Sequence, residues 1–333
     1  MRLVEAVPNF SEGRNPAQIA RIADAMAAVS EVALLHVDPE RDTHRVVMTL
    51  MGPPEAVEEA LFRGISEAVS CLDLRDHAGS HPRMGAADVV PLVPWCGVSM
   101  SECVDSARRL GERLGRELGL PGWFYGAAAM RPENRYLHDI RRGQFEGLSR
   151  KMAQKQVDFG PQMPHLTAGA TAVGARGVLV AMNCTLSTDD VRLAKDLARQ
   201  IREFQHVRRA SDGGVTQRQA VGMAGLRALG WYSQRDERAQ VTMNLTNVQE
   251  TPPHRVVQRL SQLCALTNTE ILGTELVGMI PESLLREAGH ALDSADSDLV
   301  GAGIKNLRLG ILHDFVPEER IVERVLVKHG LVG

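Results

Sequence analysis

The fold is decided by the stretch Val32-Ala33-Leu34-Leu35-His36-Val37-Asp38-Pro39-Glu40-Arg41-Asp42-Thr43-His44-Arg45-Val46-Val47-Met48-Thr49-Leu50-Met51. Two short apolar runs flank a polar segment, and each run is typical of a β-strand. The polar segment is too short for the helical crossover that parallel strands need, so the two strands are expected to pair antiparallel. A second strand pair without an intervening helix is predicted within Ala220–Leu245. Both pairs disfavour a doubly wound parallel sheet.

Each half of the chain repeats the order strand, helix, two strands, helix, strand. In the first half these elements are predicted at Leu3–Val7, Pro16–Ala28, Val32–Val37, Val46–Met51, Pro54–Val69 and Asp88–Val93. In the second half they are predicted at Gly177–Leu186, Thr188–Phe204, Ala220–Leu245, Pro253–Ala265 and Glu270–Val277. This order predicts an α+β fold of two similar α/β sandwich subdomains, with mostly antiparallel sheets and helices on one face. The boundary is predicted after a Gly- and Ala-rich stretch, giving subdomains at 1–177 and 178–333.

Composition excludes several classes of protein. The 333 residues carry a net charge of −3 with 44% hydrophobic and 24% charged residues, so a nucleic-acid-binding face and bulk disorder are not expected. No apolar run approaches the roughly 20 residues of a membrane span, and the start resembles a strand rather than a signal peptide. The five scattered cysteines predict neither disulfides nor a zinc site, so we expect a cytoplasmic protein.

The segment from Asp76 to Asp88 is the densest in chemically versatile residues. Here Gly79-Ser80-His81-Pro82-Arg83-Met84-Gly85-Ala86 precedes a strand, where a rigid scaffold can aim a side chain at a ligand. A histidine suits acid–base chemistry because its ordinary pKa is about 6.5. The alternative is a polar surface turn. A metal site using His77 and His81 is less favoured, because Gly79 and Pro82 disfavour the helix that would align the two rings.

Three other segments are candidates, each with a plainer alternative. Val7–Arg14 lies between a strand and a helix and could hold an anion, or Asn9 or Ser11 could simply cap the helix. Asp38 ends a strand near His44 and could orient a histidine, or it could be a turn residue. The stretch 158–176 is rich in small residues and could let a ligand approach the backbone, or it could be a tightly packed crossover.

Taken in order, these segments resemble the formiminotransferase family. The resemblance lies in Val7–Arg14, Gly79–Pro91, Gly143–Leu148, Asp158–Pro161 and Thr167–Arg176, and continues through Gly230–Tyr232, Gln240–Leu245 and Glu275–Pro281. The family transfers a formimino group from N-formiminoglutamate to tetrahydrofolate in histidine breakdown. The resemblance implies a homodimer with a ligand cleft between the two subdomains of each chain, and a separate cyclodeaminase to receive the product.

The resemblance also implies roles for particular residues. His81 would be the catalytic acid–base, Asp38 would stabilise its protonated ring, and Arg83 or Arg45 would pair with a carboxylate. Substrate would contact Asn9, Ser11, Arg14, His44 and Arg45. Tetrahydrofolate, with or without a polyglutamate tail, would be the co-substrate, no metal would be required, and the folate loop would comprise Gly160, Pro161, Gln162, Met163, Pro164, His165, Leu166, Thr167, Ala168 and Gly169.

Two departures from the family pattern affect the folate loop and the donor pocket, and the second leaves the donor open. The chain has His165-Leu166-Thr167 where many relatives have His-Pro-Thr, and Thr43-His44-Arg45 where Asn more often precedes the arginine. The alternatives are formyl transfer from N-formylglutamate, action on 5-formyltetrahydrofolate, or a folate-binding protein without catalysis.

Overall fold

The computed structural model describes residues 1–209, 215–292 and 297–331, which form two compact units, Met1–Gly177 and Val178–Gly333. Each unit combines a β-sheet with α-helices, which confirms the prediction that the chain contains both strands and helices in each half. Within the described ranges, no helix is both long and apolar enough to cross a membrane.

The first unit alternates strands and helices along most of its length. Its strands are β1 (Leu3–Ala6), β2 (Asn9–Phe10), β3 (Ala33–Glu40), β4 (Arg45–Gly52), β5 (Ala87–Cys96), β6 (Gly122–Gly126) and β7 (Thr171–Ala175). Its helices are α1 (Pro16–Ala27), α2 (Pro54–Cys71), α3 (Met100–Leu118), α4 (Leu137–Ile140) and α5 (Leu148–Gln154), with a 3₁₀ turn at Pro132–Asn134. Local sequence explains the bounds of α3: Ser99 and Glu102 form a capping box, and Gly119 ends the helix in the left-handed conformation.

The sheet of the first unit is mixed, which corrects the prediction of a mostly antiparallel sheet here. Strands β1 and β2 lie between β4 and β5, β3 pairs with the outer side of β4, and all these pairings are antiparallel. Beyond β5, however, β7 pairs parallel with β5 and β6 pairs parallel with β7. Parallel pairing is possible because α3 and the long 127–170 segment supply crossovers of sufficient length.

Helices lie on both faces of this sheet rather than on one. The large core packs α1, α2 and α3 against one face and includes Phe124. Trp123 and Tyr125, the neighbours of Phe124 on β6, point to the opposite face. There they pack with Ile140 of α4 and Leu148 of α5. The 127–157 segment therefore covers part of the second face.

The second unit repeats the core of the first. Its strands are β8 (Val180–Leu186), β9 (Phe204–Arg209), β10 (Val215–Val221), β11 (Leu226–Ser233), β12 (Arg238–Leu245) and β13 (Ile271–Val277). Its helices are α6 (Val191–Ile201), α7 (Pro253–Leu266), α8 (Glu282–His290), α9 (Leu299–Asn306), α10 (Pro317–Arg320) and α11 (Val322–Lys328). The four-stranded sheet is antiparallel in the order β11-β12-β8-β13, which matches β3-β4-β1-β5 of the first unit. Both units thus contain the β-α-β-β-α-β motif that the repeated sequence order predicts.

One predicted strand of the second unit is divided in two. The first strand of the pair predicted within Ala220–Leu245 covers Ala220–Trp231 in the sequence, but β10 ends at Val221 and β11 begins at Leu226. Gly222 and Gly225 between them have φ values of 85° and 69°, which break an extended conformation. Strand β10 pairs with β9 in a separate two-stranded ribbon.

Candidate functional site

Three segments predicted to carry function meet beside strand β5. The Ser11 hydroxyl donates to the carbonyl of Gly85 over 2.8 Å. The amide of Ala86 donates to the carbonyl of Ala168 over 3.0 Å, and the amide of Ala170 donates to that of Met84 over 3.0 Å. The loop that carries His81 is therefore fixed between the end of β2 and the 160–169 loop.

Asp88 lies at the centre of this region with no exposed surface. Its Oδ2 accepts from Nη1 of Arg45 at 2.6 Å and from Nη2 of Arg141 at 2.5 Å, and its Oδ1 accepts from the amide of Met84 at 2.8 Å. Burial by itself raises the pKa of the Asp88 carboxyl, but the two guanidinium groups outweigh it and hold the pKa well below its ordinary value. Asp88 is therefore a fixed anion between two cations.

His81 lies beside this cluster and is neutral near pH 7. Burial, then the charges of Arg45 and Arg141, lower the pKa of His81 from 6.5 to about 3. Its Nδ1 lies 2.7 Å from the carbonyl oxygen of Pro82 and 3.1 Å from Nη1 of Arg45. The shorter contact favours the tautomer in which Nδ1–H donates to Pro82, which leaves the lone pair of Nε2 to accept a proton.

Arg45 is held from four directions and is only 4% exposed. Besides Asp88 and the His81 ring, its Nη1 lies 3.1 Å from the carbonyl oxygen of Pro82. Its Nη2 donates to Oδ1 of Asn9 over 3.0 Å. The predicted substrate residues Asn9 and Arg45 are therefore brought together with the predicted catalytic His81.

A chain of polar contacts braces the His81 loop. Oε1 of Glu12 lies 3.1 Å from Nε2 of His44, whose ring stacks on that of His77 with centroids 4.2 Å apart. Nδ1 of His77 accepts from Nε of Arg83 over 3.1 Å, and Arg83 donates two hydrogen bonds of 2.6 and 2.9 Å to Glu146. His44 has a φ of 53°, so its backbone is also fixed in an uncommon conformation.

Helix α1 is not capped by Asn9 or Ser11, which was the alternative to an anion site in Val7–Arg14. Asn15, and neither Asn9 nor Ser11, caps the helix by accepting from the amides of Ala17 and Gln18. Arg14 is exposed, and its Nε donates to the carbonyl of Arg41 over 2.9 Å.

Asp38 lies on the same face of the sheet as Asn9. Both residues are register partners of Val47, one on each side of β4. Directly opposed residues share a face, so Asp38 belongs to the face that also carries Arg45. Oδ2 of Asp38 lies 3.9 Å from Nε2 of His36.

The 160–169 loop is anchored at both ends and exposed in the middle. Gly160 and Gly169 have φ values of 76° and 68°, and the amide of Gly169 donates to the carbonyl of His165 over 3.0 Å. The side chain of Gln162 donates to the carbonyl of Met152. Between these anchors, Met163 is 67% and Leu166 is 71% exposed, so the middle of the loop presents apolar side chains to solvent.

Asp88 and Arg141 are not among the site residues predicted from the sequence. Asp88 is an acid directly before the buried run Val89–Val93, and such an acid needs a cationic partner, which was a usable signal. Arg141 follows a four-residue helix with no clear sequence period, so no local pattern indicated it. Among the described residues, no group of three His, Cys, Asp or Glu could hold a metal ion.

Comparisons with known proteins agree along the chain. The family model described as the formiminotransferase domain, N-terminal subdomain, matches residues 3–176, and the formiminotransferase domain model matches residues 181–327. The glutamate formimidoyltransferase of Streptococcus pyogenes serotype M1 is 34% identical over 93% of this chain and 99% of its own length. The enzyme of that name from Thermoplasma acidophilum is 38% identical over 86% of this chain and 90% of its own. The formimidoyltransferase-cyclodeaminase of Rattus norvegicus is 36% identical over 99% of this chain, which spans 61% of the rat protein.

Proposed function

Because this chain belongs to the formiminotransferase family, we propose that it transfers the formimino group of N-formimino-L-glutamate to tetrahydrofolate. The products are 5-formiminotetrahydrofolate and glutamate. The observation that carries the proposal is the pair of family models, which together match both units almost from end to end. The names of the relatives from Streptococcus pyogenes and Thermoplasma acidophilum describe the same transferase activity.

The reaction requires one proton to move between two nitrogens. N5 of tetrahydrofolate attacks the formimino carbon, and the bond from that carbon to the glutamate nitrogen then breaks. N5 loses a proton and the departing glutamate nitrogen gains one, so no other reactant is needed. A single base that first accepts and then returns the proton is sufficient.

His81 is the residue that suits this proton transfer. Its Nδ1 contact with Pro82 leaves Nε2 as the acceptor, and the lowered pKa keeps the ring neutral in the free protein. Asp88 and Arg45 fix its surroundings, and Asp38 on the same sheet face supports the imidazolium that forms. Holding donor and acceptor together lowers the entropic part of the barrier.

The 160–169 loop binds tetrahydrofolate in this proposal. Its exposed Met163 and Leu166 offer apolar surface to the pterin, while the buried Ala168 and Gly169 anchor the loop beside the His81 loop. A folate with a polyglutamate tail and a homodimeric enzyme are further parts of the proposal. Sedimentation of the pure protein tests the homodimer.

The test of the proposed chemistry is His81→Ala in single-turnover transfer to bound tetrahydrofolate. We expect the rate to fall roughly 10²- to 10⁴-fold, the usual contribution of general acid–base catalysis. His138→Ala is the matched control, since His138 is exposed and lies in helix α4 rather than in the His81 loop, and it should retain the wild-type rate. A near-wild-type rate in His81→Ala with folate still bound would overturn the role of His81. Formylglutamate and 5-formyltetrahydrofolate are assayed in parallel, and transfer from either of them alone would overturn the donor.

A further inference from the structure

The two buried arginines among the described residues, Arg45 and Arg83, have little capacity left for a substrate carboxylate. Arg45 donates to Asp88 and Asn9 and contacts the carbonyl of Pro82. Arg83 forms two hydrogen bonds to Glu146 and a third to Nδ1 of His77. Both are therefore positioning residues, which hold the His81 loop rather than bind ligand.

Arg141 differs because most of its donors lack an acceptor. Its Nη2 donates to Asp88, while its Nε is buried without a hydrogen-bond partner in the part of the chain that the structure describes. The side chain is 15% exposed, so part of it is accessible from outside. A planar fork of five N–H groups with one acceptor is suited to a second carboxylate, which it can bind bidentately.

The local charge also favours an anion. Arg45 and Arg141 share the single carboxylate of Asp88, and His81 is neutral beside them. The buried group thus carries an excess positive charge, which a bound carboxylate would balance.

We propose that Arg141 binds the α-carboxylate of the formimino donor and thereby places the leaving nitrogen beside His81. This role rests on the proposed function. Arg141 and Arg45 meet at one oxygen of Asp88, and Arg45 reaches the His81 ring, so the ligand of Arg141 lies close to the proton acceptor. In the donor, one carbon separates the α-carboxylate from the leaving nitrogen, whereas the γ-carboxylate is farther away.

The same contact links donor binding to proton transfer. Arg45 and Arg141 contribute to the low pKa of His81 in the free protein. A carboxylate on Arg141 offsets that charge, so the pKa of His81 rises when the donor binds. His81 then becomes a stronger base only when the proton needs to be moved.

The experiment pairs enzyme variants with donor variants. The values of kcat/KM are measured for wild type and Arg141→Lys with formiminoglutamate, its α-amide and its γ-amide. In wild type the α-amide should lose about 10- to 100-fold, the value of a bidentate charged contact. Arg141→Lys should lose a similar factor with formiminoglutamate but little more with the α-amide, and the γ-amide should reduce both enzymes equally. The KM for tetrahydrofolate should not change.

Arg142→Lys is the matched control, since its side chain is 80% exposed and bonded to Asp139, and it should behave as wild type. The assignment would be overturned if the α-amide reduced kcat/KM equally in wild type and Arg141→Lys. It would also be overturned if the γ-amide, and not the α-amide, reduced kcat/KM less in Arg141→Lys than in wild type. Wild type without turnover from formiminoglutamate would overturn the proposed function. In that case, carboxylate binding by Arg141 is tested by the rise in Tm on adding glutamate. A rise that Arg141→Lys abolishes supports binding at Arg141, and a rise that is the same in both proteins, or absent from both, refutes it.

Discussion

His81 combines a proposed catalytic role with surroundings that oppose its protonation. Burial and two guanidinium groups stabilise the neutral ring, and the carboxylate of Asp88 beside it is already shared by both arginines. A free imidazole would be about half protonated near pH 6.5. In this protein the ring is therefore available as a base throughout the neutral range, and its strength depends on what binds next to it.

The pKa of His81 predicts how the free protein responds to acid. Because folding lowers that pKa from 6.5 to about 3, the unfolded chain takes up a proton in this interval and the folded chain does not. The stability contributed by neutral His81 is complete above pH 6.5 and is lost as the pH falls towards 3. In ¹H–¹⁵N NMR the His81 ring, assigned by its absence in His81→Gln, should remain neutral at pH 5, and the variant should lose less stability between pH 6.5 and 4. A His81 midpoint near 6.5 would contradict the prediction.

At the residue scale, the sequence indicated some members of the cluster and not others. His81, Arg45 and Asn9 lie in motifs with bend-forming or polar neighbours, and the structure brings them together. Asp88 and Arg141 are separated by 53 positions and meet only through the tertiary fold. No local period or spacing could have paired them, because their contact depends on how the 127–157 segment covers the sheet.

At the element scale, the contact between the His81 loop and the 160–169 loop depends on a close backbone approach at Gly169. Gly169 has a φ of 68°, and a Cβ there would lie 2.2 Å from the carbonyl oxygen of Met84. The backbone could not move aside without breaking the hydrogen bond from Ala170 to Met84. Gly119 has a similar φ of 62° but open space around it.

These two glycines give a matched pair of substitutions. Gly119→Ala should cost about 1 to 2 kcal/mol, the price of the left-handed conformation alone. Gly169→Ala should cost more, because the steric clash adds to the same strain, and it should also weaken tetrahydrofolate binding. Urea unfolding gives the two stabilities and a folate titration gives the affinities. Equal urea midpoints with unchanged affinity would show that the two loops are not coupled through Gly169.

Elements with a clear apolar period were predicted within a few residues, and those without one were missed. Strands β3 and β4, which decided the fold, appear as expected in an antiparallel pair. Strand β7 was missed because Thr171–Ala175 consists mostly of small residues, which are weak strand formers. It is nevertheless buried along its whole length between β5 and β6, so tertiary context rather than local preference determines it.

At the scale of the whole molecule, the repeated sequence order correctly indicated two α+β units but not the extension of the first one. The order β3-β4-β1-β5 and its counterpart in the second unit follow from the shared β-α-β-β-α-β motif. The parallel strands β7 and β6 are added outside this motif, and the second unit has no such addition among its described residues. The candidate site lies where the 127–157 segment, which connects the added strands, meets the repeated core. Arg141 belongs to that segment and Asp88 belongs to β5 of the core.

The added strands predict where the first unit can be truncated. Its two apolar clusters are formed within residues 1–177, so this fragment should unfold cooperatively by itself. A fragment of residues 1–165 lacks β7, which is the only strand paired with β6 and lies between it and β5 among the described residues. It should therefore lose the pairing of β6 and expose Val90 of β5 and Phe124 of β6, which pair with Val173 of β7. Urea unfolding followed by circular dichroism compares the two fragments: we expect a sharp transition for 1–177 and a broad one, with a smaller m-value, for 1–165. A broad transition for 1–177 as well would mean that the first unit needs the rest of the chain to fold.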